Sequence, residues 1–423
     1  MANSLLRGAY SVLGLALSIL VVPVFLLSSR GRARLAERFG SWNLELDDCI
    51  WFHGASFGEV NGVIPIMRRI KASANCPSLL TSTSVSGLEK GAAVTDHQRL
   101  LPFDNPLWLG RALKAVRPRC LIIAETEIWP ALLEYVSSRG IPVFIVNARI
   151  SDYSWPRYLR LKFLIAPLLK IPRAIFAASP RAKSRLEILG ASPALVTISG
   201  NTKYEAAAVE LPEGEASKLR ERLFMNSDAL LVLGSLRPGE EKVWFPAIRK
   251  ALDTAKRINF LVAPRHKEKF QYFKEGLTEV GIAYQSWREV SAGLAQRDNG
   301  RVLILDTLGE LSRMYAVCQA AFIGGTLCDY GGHNPFEPAP YGAALAIGPF
   351  TSTISDEVEL LKSKEALIAL RDGGDIEKLL DRLDRSDPEL VAVGMRSKEV
   401  WQSFSGSSAQ IAEEIMRGVA ANA

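Results

Sequence analysis

Three carboxylates and one amine stand where a substrate could reach them. In "HGASFGEV", Glu59 follows a loop built from Gly54, Ala55, Ser56 and Gly58 and falls in the first turn of the helix that "GEVNGVIPIMRRIKAS" predicts. A lone carboxylate at the mouth of a loop stripped of bulk can take a proton from a substrate hydroxyl. The same residue at the same position also complements a helix dipole, which is worth about 0.5 kcal/mol. In "ETEIWP", Glu125 and Glu127 close a buried strand. Two carboxylates one residue apart at a strand end cannot both be buried cheaply. One of them capping the next helix while the other faces solvent would also account for the pair. Lys203, in "GNTKYE", sits on the last loop before a change of composition, on the cleft side if two domains face each other.

The second half of the chain carries groups suited to an anion. "GSLRPGEEK" follows a predicted strand and opens a helix at Pro238 to Glu241. "APRHKEKF" sets Pro264, Arg265, His266 and Lys267 just past the next strand, and a strand end beside a helix start is a ready anion site. "DTLGEL" puts Leu308, Gly309 and Glu310 at another helix start. The stretch from Gly324 to Gly348, "GGTLCDYGGHNPFEPAPYGAALAIG", brackets a loop with glycine pairs and then brings His333, Asn334, Pro335, Phe336 and Glu337, before a small-residue helix and an apolar strand. Such glycines would let backbone amides approach a phosphate, and Glu337 could accept from vicinal ribose hydroxyls. A nucleotide fits this pattern. There is no Walker A sequence, no G-x-G-x-x-G after the first strand, no Asp-x-Asp pair and no His/Cys cluster at metal spacing, so we expect a nucleotide-linked donor with no separate cofactor and no metal. Three of the four histidines, His53, His266 and His333, fall at strand-to-helix loops; His97 does not obviously do so.

The elements that must position these residues repeat regularly. "CIWFHGAS", "SLLTSTSV", "RCLIIAETE", "IPVFIVNAR", "AIFAASP" and "LVTISGN" read as short strands separated by amphipathic helices. "AAAVELPEGEAS" (Ala206 to Ser217) then breaks the rhythm, which resumes with "ALLVLGS", "INFLVAPR", "RVLILDT", "AAFIGGT" and "AALAIGP". The fold class expected is α/β, with two doubly wound Rossmann-like domains, residues 30–206 and 207–423, facing a cleft. The last helix could pack back on the first domain. In such sheets ligands bind beyond the carboxyl ends of the strands, where all the residues above lie.

With 423 residues, 48% of them hydrophobic, the chain suits two domains of ordinary size. Lys plus Arg is 51 and Asp plus Glu is 45, a net charge of +6 that fits anionic ligands or an anionic membrane face. We expect no nucleic-acid partner. Five scattered cysteines without a C-x-x-C pair indicate reduced thiols. Gly8 to Leu27 carries no charge and is followed by Arg30, Arg32, Arg34 and Arg38. That length and those flanks predict that residues 1–29 form a transmembrane helix, an uncleaved anchor with the body on the cytoplasmic side of the cell inner membrane. "SWPRYLRLKFLIAPLLKIPR" (Ser154 to Arg173) has five basic residues, no acid and interleaved aromatics. It suits a membrane interface or anionic lipid, and equally an ordinary amphipathic helix with a solvated basic face.

"HGASFGE", "ETEIWP", "NARIS", "GNTKYE", "APRHKE", "DTLGEL" and "GGHNPFEPA", in this order from Trp51 to about Gly348, resemble the motifs of the bacterial 3-deoxy-D-manno-octulosonic acid (Kdo) transferases of lipopolysaccharide synthesis. The resemblance implies a GT-B fold, CMP-Kdo as donor and lipid IVA, the tetraacylated glucosamine disaccharide precursor of lipid A, as acceptor. It implies Glu59 as base with Glu125 and Lys203 assisting the transition state. It implies Pro264, Arg265, Leu308, Gly309, Glu310 and the loop Asn334, Pro335, Phe336, Glu337 at CMP. Two blocks depart from the family pattern: Leu236 and Arg237 replace Thr and His in "GSLRPGEE", and "GPFTSTI" (Gly348 to Ile354) replaces G-P-H-x-x-N-F. A GT-B enzyme using another nucleotide sugar on another lipid, or a catalytically silent tethered nucleotide-binding scaffold, would share most of these features.

Overall fold

The computed structural model describes residues 2–27, 32–74, 76–205, 211–212, 214–223, 228–298 and 300–421. Residues 206–210 and 213 of the composition break, and residues 28–31, with Arg30 of the basic cluster, lie outside them. The chain divides into two units, Met1–Glu205 with Gly406–Ala423, and Ala206–Ser405.

The first unit is built on a seven-stranded sheet: β1 Leu46–His53, β2 Ser78–Ser82, β3 His97–Leu100, β4 Val116–Ala124, β5 Val143–Ala148, β6 Ala174–Ala177 and β7 Val196–Ile198. The order is β3-β2-β1-β4-β5-β6-β7 and every pairing is parallel. Alternate residues of the central strands feed two cores. Trp51, Leu121, Ile123 and Ile145 enter one; Ile50, Phe52, Ile122, Phe144 and Val146 enter the other. Burial on both faces is why these strands read as unbroken apolar runs. The C-terminal helix Ser407–Ala420 covers the second face with Ile411, Ile415 and Val419, and its N-terminus is fastened where Ser408 N donates to Glu205 Oε1 at 2.8 Å.

The second unit repeats the plan with β8 Ala229–Leu236, β9 Ile258–Pro264, β10 Tyr284–Ser286, β11 Val302–Ile304, β12 Ala320–Ile323, β13 Ala344–Ile347 and β14 Ile368–Ala369, in the order β10-β11-β9-β8-β12-β13-β14, again all parallel. The edge strands β3, β10 and β14 were not legible as strands. "HQRL", "YQS" and "IA" are short, and the first two are largely polar, as edge positions allow.

The N-terminal segment corrects the expectation of one spanning helix. Helix α1 (Ala2–Leu20) stops before Val21 and a separate short helix, α2 (Val22–Leu26), follows. Pro23 explains the break: it has no N–H to offer the preceding turn, and its ring crowds the carbonyl four residues back. Among the described residues no helix is long and apolar enough to cross a membrane. Helix α1 instead lies on the first unit. Tyr10 donates to Asp104 Oδ2 at 2.7 Å, Asn105 Nδ2 to Ser11 O at 2.7 Å, and Trp108 Nε1 to Ser18 Oγ at 3.1 Å. Its other side leaves Val12, Leu13, Leu17 and Leu20 exposed.

Asp104 is the pivot of this seat, because it also accepts from Ala131 N (3.0 Å) and Leu132 N (2.8 Å) at the start of the helix Pro130–Ser138. Removing the carboxylate leaves two helix-start amides without their acceptor. Asp104→Ala should therefore lower the stability of the first unit by about 1–3 kcal/mol, read as a shifted urea midpoint with an unchanged slope. An unchanged midpoint would mean that solvent replaces the carboxylate at no loss.

Candidate active site

The candidate residues fall into two groups, one in each unit, and every one lies at the carboxyl end of its sheet. In the first unit, β1 runs into the loop Gly54–Ser56 and then helix α3 (Phe57–Ser73). Ser56 caps this helix: its Oγ accepts from Glu59 N at 3.3 Å and donates to Glu59 Oε1 at 2.8 Å, while Ala55 N donates to Glu59 Oε2 at 2.7 Å. This is a reciprocal capping box, readable in the spacing Ser56-x-x-Glu59. Gly54 serves the packing of the helix start, since a Cβ there would lie 3.0 Å from Val60 Cγ2 and 3.1 Å from Val60 N. Glu59 uses only two of its carboxylate's roughly four acceptor sites in these bonds. Burial, with Glu125 nearby, raises its pKa, against the opposing hydrogen bonds from Ser56 and Ala55.

Glu125 directly follows β4 with φ +57, a left-handed conformation that non-glycine residues seldom adopt. Its N–H donates to Val146 O at 2.8 Å and its carboxylate pairs with Arg149 at 3.3 Å. Neither Glu125 nor Glu127 caps the helix that follows. That helix starts at Pro130 and takes the Asp104 carboxylate instead. Glu127 is half-buried, and burial, then Glu59, then Glu125 push its pKa up to about 7. The three acids are thus electrostatically one group, and Glu127 is the member the sequence reading left without a role.

Lys203 lies on the short turn Thr202–Tyr204 after β7, with its ammonium 4.8 Å from the Tyr204 ring centre. Its place is set by a residue to which the sequence reading gave no function. Asn147, at the end of β5 with φ +55, is buried; it accepts from Thr202 N (2.9 Å) and donates to Gly62 O (3.2 Å) and Thr202 Oγ1 (3.0 Å). A polar residue ending an otherwise apolar strand was the available signal. His53 is a core residue, not a loop ligand: it ends β1 fully buried, its Nδ1 lies 3.0 Å from Thr81 Oγ1, and burial pushes its pKa down to about 4.

In the second unit Arg265 directly follows β9 and is exposed, with its N–H on Leu236 O at 3.1 Å. Four imidazole and guanidinium groups gather there. Arg237 Nη1 lies 2.6 Å from His266 Nε2 and its guanidinium stacks 4.2 Å over Tyr330. Burial, then the neighbouring Arg265, Arg237 and His266, push the His333 pKa down to about 4. Glu337 is raised by burial and held down by Arg265. Tyr315, within the field of both, sets its hydroxyl over Gly234, where a Cβ would lie 1.8 Å away. Glu310 precedes the helix Leu311–Tyr315, as expected, but its carboxylate is committed to Trp287 Nε1 (3.0 Å) and Thr307. Leu308 and Gly309 are exposed beside it.

Two expectations about the glycine loop change. The amides of its first part are not open to a phosphate: Gly325, Thr326 and Leu327 donate to the buried Glu240 carboxylate at 2.9, 3.0 and 3.0 Å, and Arg237 N does so at 2.9 Å. Nor does a small-residue helix follow Glu337; only the short turn Ala339–Tyr341 does. Asn334 closes a local turn by accepting from Phe336 N at 3.0 Å. Pro335 is buried, and Phe336 packs fully buried against Phe404 at 5.1 Å, so its side chain serves the core.

Two α/β units, each a parallel sheet with polar loops at its carboxyl edge, define the class of GT-B-like proteins. A UDP-GlcNAc 2-epimerase from Neisseria meningitidis, solved with UDP-GlcNAc, superimposes with a TM-score of 0.61 over 88% of this chain and 100% of that one at 13% identity, which speaks to fold alone. The family model of 3-deoxy-D-manno-octulosonic-acid transferase matches residues 33–206. A 3-deoxy-D-manno-octulosonic acid transferase of Chlamydophila psittaci is 30% identical over 75% of this chain and 73% of its own length. A bifunctional glycosyltransferase/methyltransferase of Fusobacterium nucleatum is 27% identical over 78% of this chain, which spans about half (52%) of that protein. The chain belongs to the Kdo transferase family of glycosyltransferases.

The raised Glu127 pKa gives a pH signature. A carboxyl whose folded pKa lies near 7, above an ordinary value of 4.5, favours the fold while protonated. That contribution is complete below pH 4.5 and is lost as pH rises through 7. Glu127→Gln fixes the neutral form, so the melting temperature of the variant minus that of the wild type should grow between pH 5 and pH 8. A difference constant across that range would show that Glu127 ionises normally.

Proposed function

We propose that this chain transfers Kdo from CMP-Kdo to lipid IVA, with inversion at the anomeric carbon and without a metal ion. The observation that carries the reading is the Glu59 carboxylate, in a chain of this family. It is held by two local hydrogen bonds at the carboxyl edge of the first sheet, with its pKa raised by burial and by Glu125. A raised carboxylate pKa brings a general base closer to its working pH.

In this mechanism Glu59 takes the proton from the acceptor hydroxyl. The oxygen forms a bond to the anomeric carbon of Kdo from the face opposite CMP. The bond from that carbon to the phosphate oxygen breaks, and its electron pair leaves with CMP. A phosphate leaving group needs charge stabilisation more than a proton. Arg265 and the adjoining Arg237–His266 pair would supply it on the donor side, and Lys203 on the acceptor side. Pro264, Leu308, Gly309, Asn334 and Glu337 would contact the nucleotide, with Glu337 accepting from the ribose hydroxyls. Pro335, Phe336 and Glu310 would shape the site through the backbone and packing. The acceptor would be met at the cytoplasmic face of the inner membrane, where the exposed apolar side of α1 and the basic segment Ser154 to Arg173 favour an anionic lipid surface.

Glu59→Gln keeps the size of the side chain and removes its ability to take a proton at neutral pH. The rate with CMP-Kdo and lipid IVA should fall about 10²–10⁴-fold, with CMP affinity near that of the wild type. A small drop in melting temperature with a near wild-type rate would leave Glu59 as a helix cap only. Arg265→Ala should weaken CMP binding by about 1.5–3 kcal/mol in calorimetry. Unchanged affinity would remove Arg265 from the donor site.

A further inference from the structure

The first unit holds an apolar cavity of about 570 Å³ that the transfer chemistry leaves unused. One wall is α1, through Tyr10 and Ser11; another is the helix Pro130–Ser138, through Ala131 and Tyr135; the third is the pair Trp155–Arg160 and Lys162–Leu168, through Tyr158 and Leu164. Among the described residues the charged groups of its lining are Arg157 and Glu134. Its size lies within the roughly 300–1,000 Å³ usual for small-ligand sites. It persists because α1 is held by polar bonds to Asp104, Asn105 and Trp108 rather than by filling the space.

Three features point to one occupant. First, the cavity adjoins the carboxylate group: Tyr158, which lines it, donates to Thr126 O at 3.1 Å, and Thr126 stands between Glu125 and Glu127. Second, apolar side chains are exposed along the segment that forms the third wall, with Phe163 at 66%, Leu161 at 41% and Leu164 at 40%. Third, Arg157, Arg160 and Lys162 are exposed on that same segment. An apolar slot beside exposed cations suits an amphiphile with an anionic head and a hydrocarbon tail.

We propose that this cavity takes one acyl chain of the lipid acceptor, drawing it out of the bilayer so that the acylated sugar is presented to Glu59 and Glu125. This rests on the reading of a lipid acceptor given above. A chain lodged in the slot excludes water from apolar walls and fixes the sugar by a part of the molecule that does not react.

The test is displacement of a pyrene-labelled fatty acid from the full chain in detergent-free buffer, with folding checked by circular dichroism. The wild type should bind the probe saturably. The tetraacylated glucosamine disaccharide should displace it, whereas its deacylated form should not. Leu164→Trp and, on the wall formed by the helix Pro130–Ser138, Ser138→Trp should each weaken probe binding at least tenfold. Both should raise KM for the acylated acceptor while leaving kcat/KM for the deacylated disaccharide unchanged. Equal displacement by the deacylated sugar, wild-type binding by both folded variants, or displacement by phosphatidylethanolamine as effective as by the acylated sugar would overturn the proposal. These binding outcomes stand apart from turnover: probe displacement as expected with no Kdo transfer would refute the proposed reaction and not the acyl site.

Discussion

The buried amide of Asn147 is the interaction on which the first group of candidate residues depends. One side chain ties a strand, a turn and a helix together: from the end of β5 it holds the backbone and hydroxyl of Thr202, beside Lys203, and the Gly62 carbonyl of the helix that carries Glu59. The Thr202 hydroxyl closes the same circuit on Gly62 O at 2.5 Å. The strand that carries Asn147 also supports Glu125, through Glu125 N on Val146 O. Buried polar groups are costly unless every member is satisfied, so such a network specifies one arrangement. Both Asn147 and Glu125 hold left-handed backbone conformations where their strands end. Strain of that kind persists only where surrounding contacts impose it.

A comparison of the buried Glu240 with the half-buried Glu59 separates support from chemistry. Glu240 accepts from four backbone amides and has no capacity left for a ligand. It braces the glycine loop of the second unit as an internal substitute for the anion that the glycines suggested. Glu59 accepts two hydrogen bonds, both from its own capping loop, and retains lone pairs. The cap and the base are therefore compatible roles. The cap orients the carboxylate, and the free lone pairs are what a substrate hydroxyl would meet.

Much of this was legible in sequence for a simple reason. Central strands buried on both faces, such as "IPVFIVNAR" and "INFLVAPR", leave little room for any other pattern, and they carry the loops with them. The capping box was legible as a three-residue spacing. The edge strands β3, β10 and β14 were not, because one side of "HQRL" needs no partner and tolerates polar residues. One unbroken helix does not form, although a charge-free run counts Pro23 like any other uncharged residue, because Pro23 interrupts the hydrogen-bond ladder. The contacts of Glu240 with the glycine loop and of Asn147 with Thr202 join residues 85 or more and 55 positions apart. No local pattern encodes such pairs.

In the proposed reaction the carboxyl edge of the first unit presents a base to a lipid-borne sugar and the second unit holds the CMP-linked donor. The most direct measurement is the product itself. The full chain would be incubated with CMP-Kdo and lipid IVA, the lipid product weighed by mass spectrometry, and its new linkage assigned by NMR. The expected product is lipid carrying added Kdo, with CMP released and an anomeric configuration opposite to that of the donor. Kdo linked with the donor's configuration retained, or lipid glycosylated only from a UDP- or GDP-linked sugar, would contradict it.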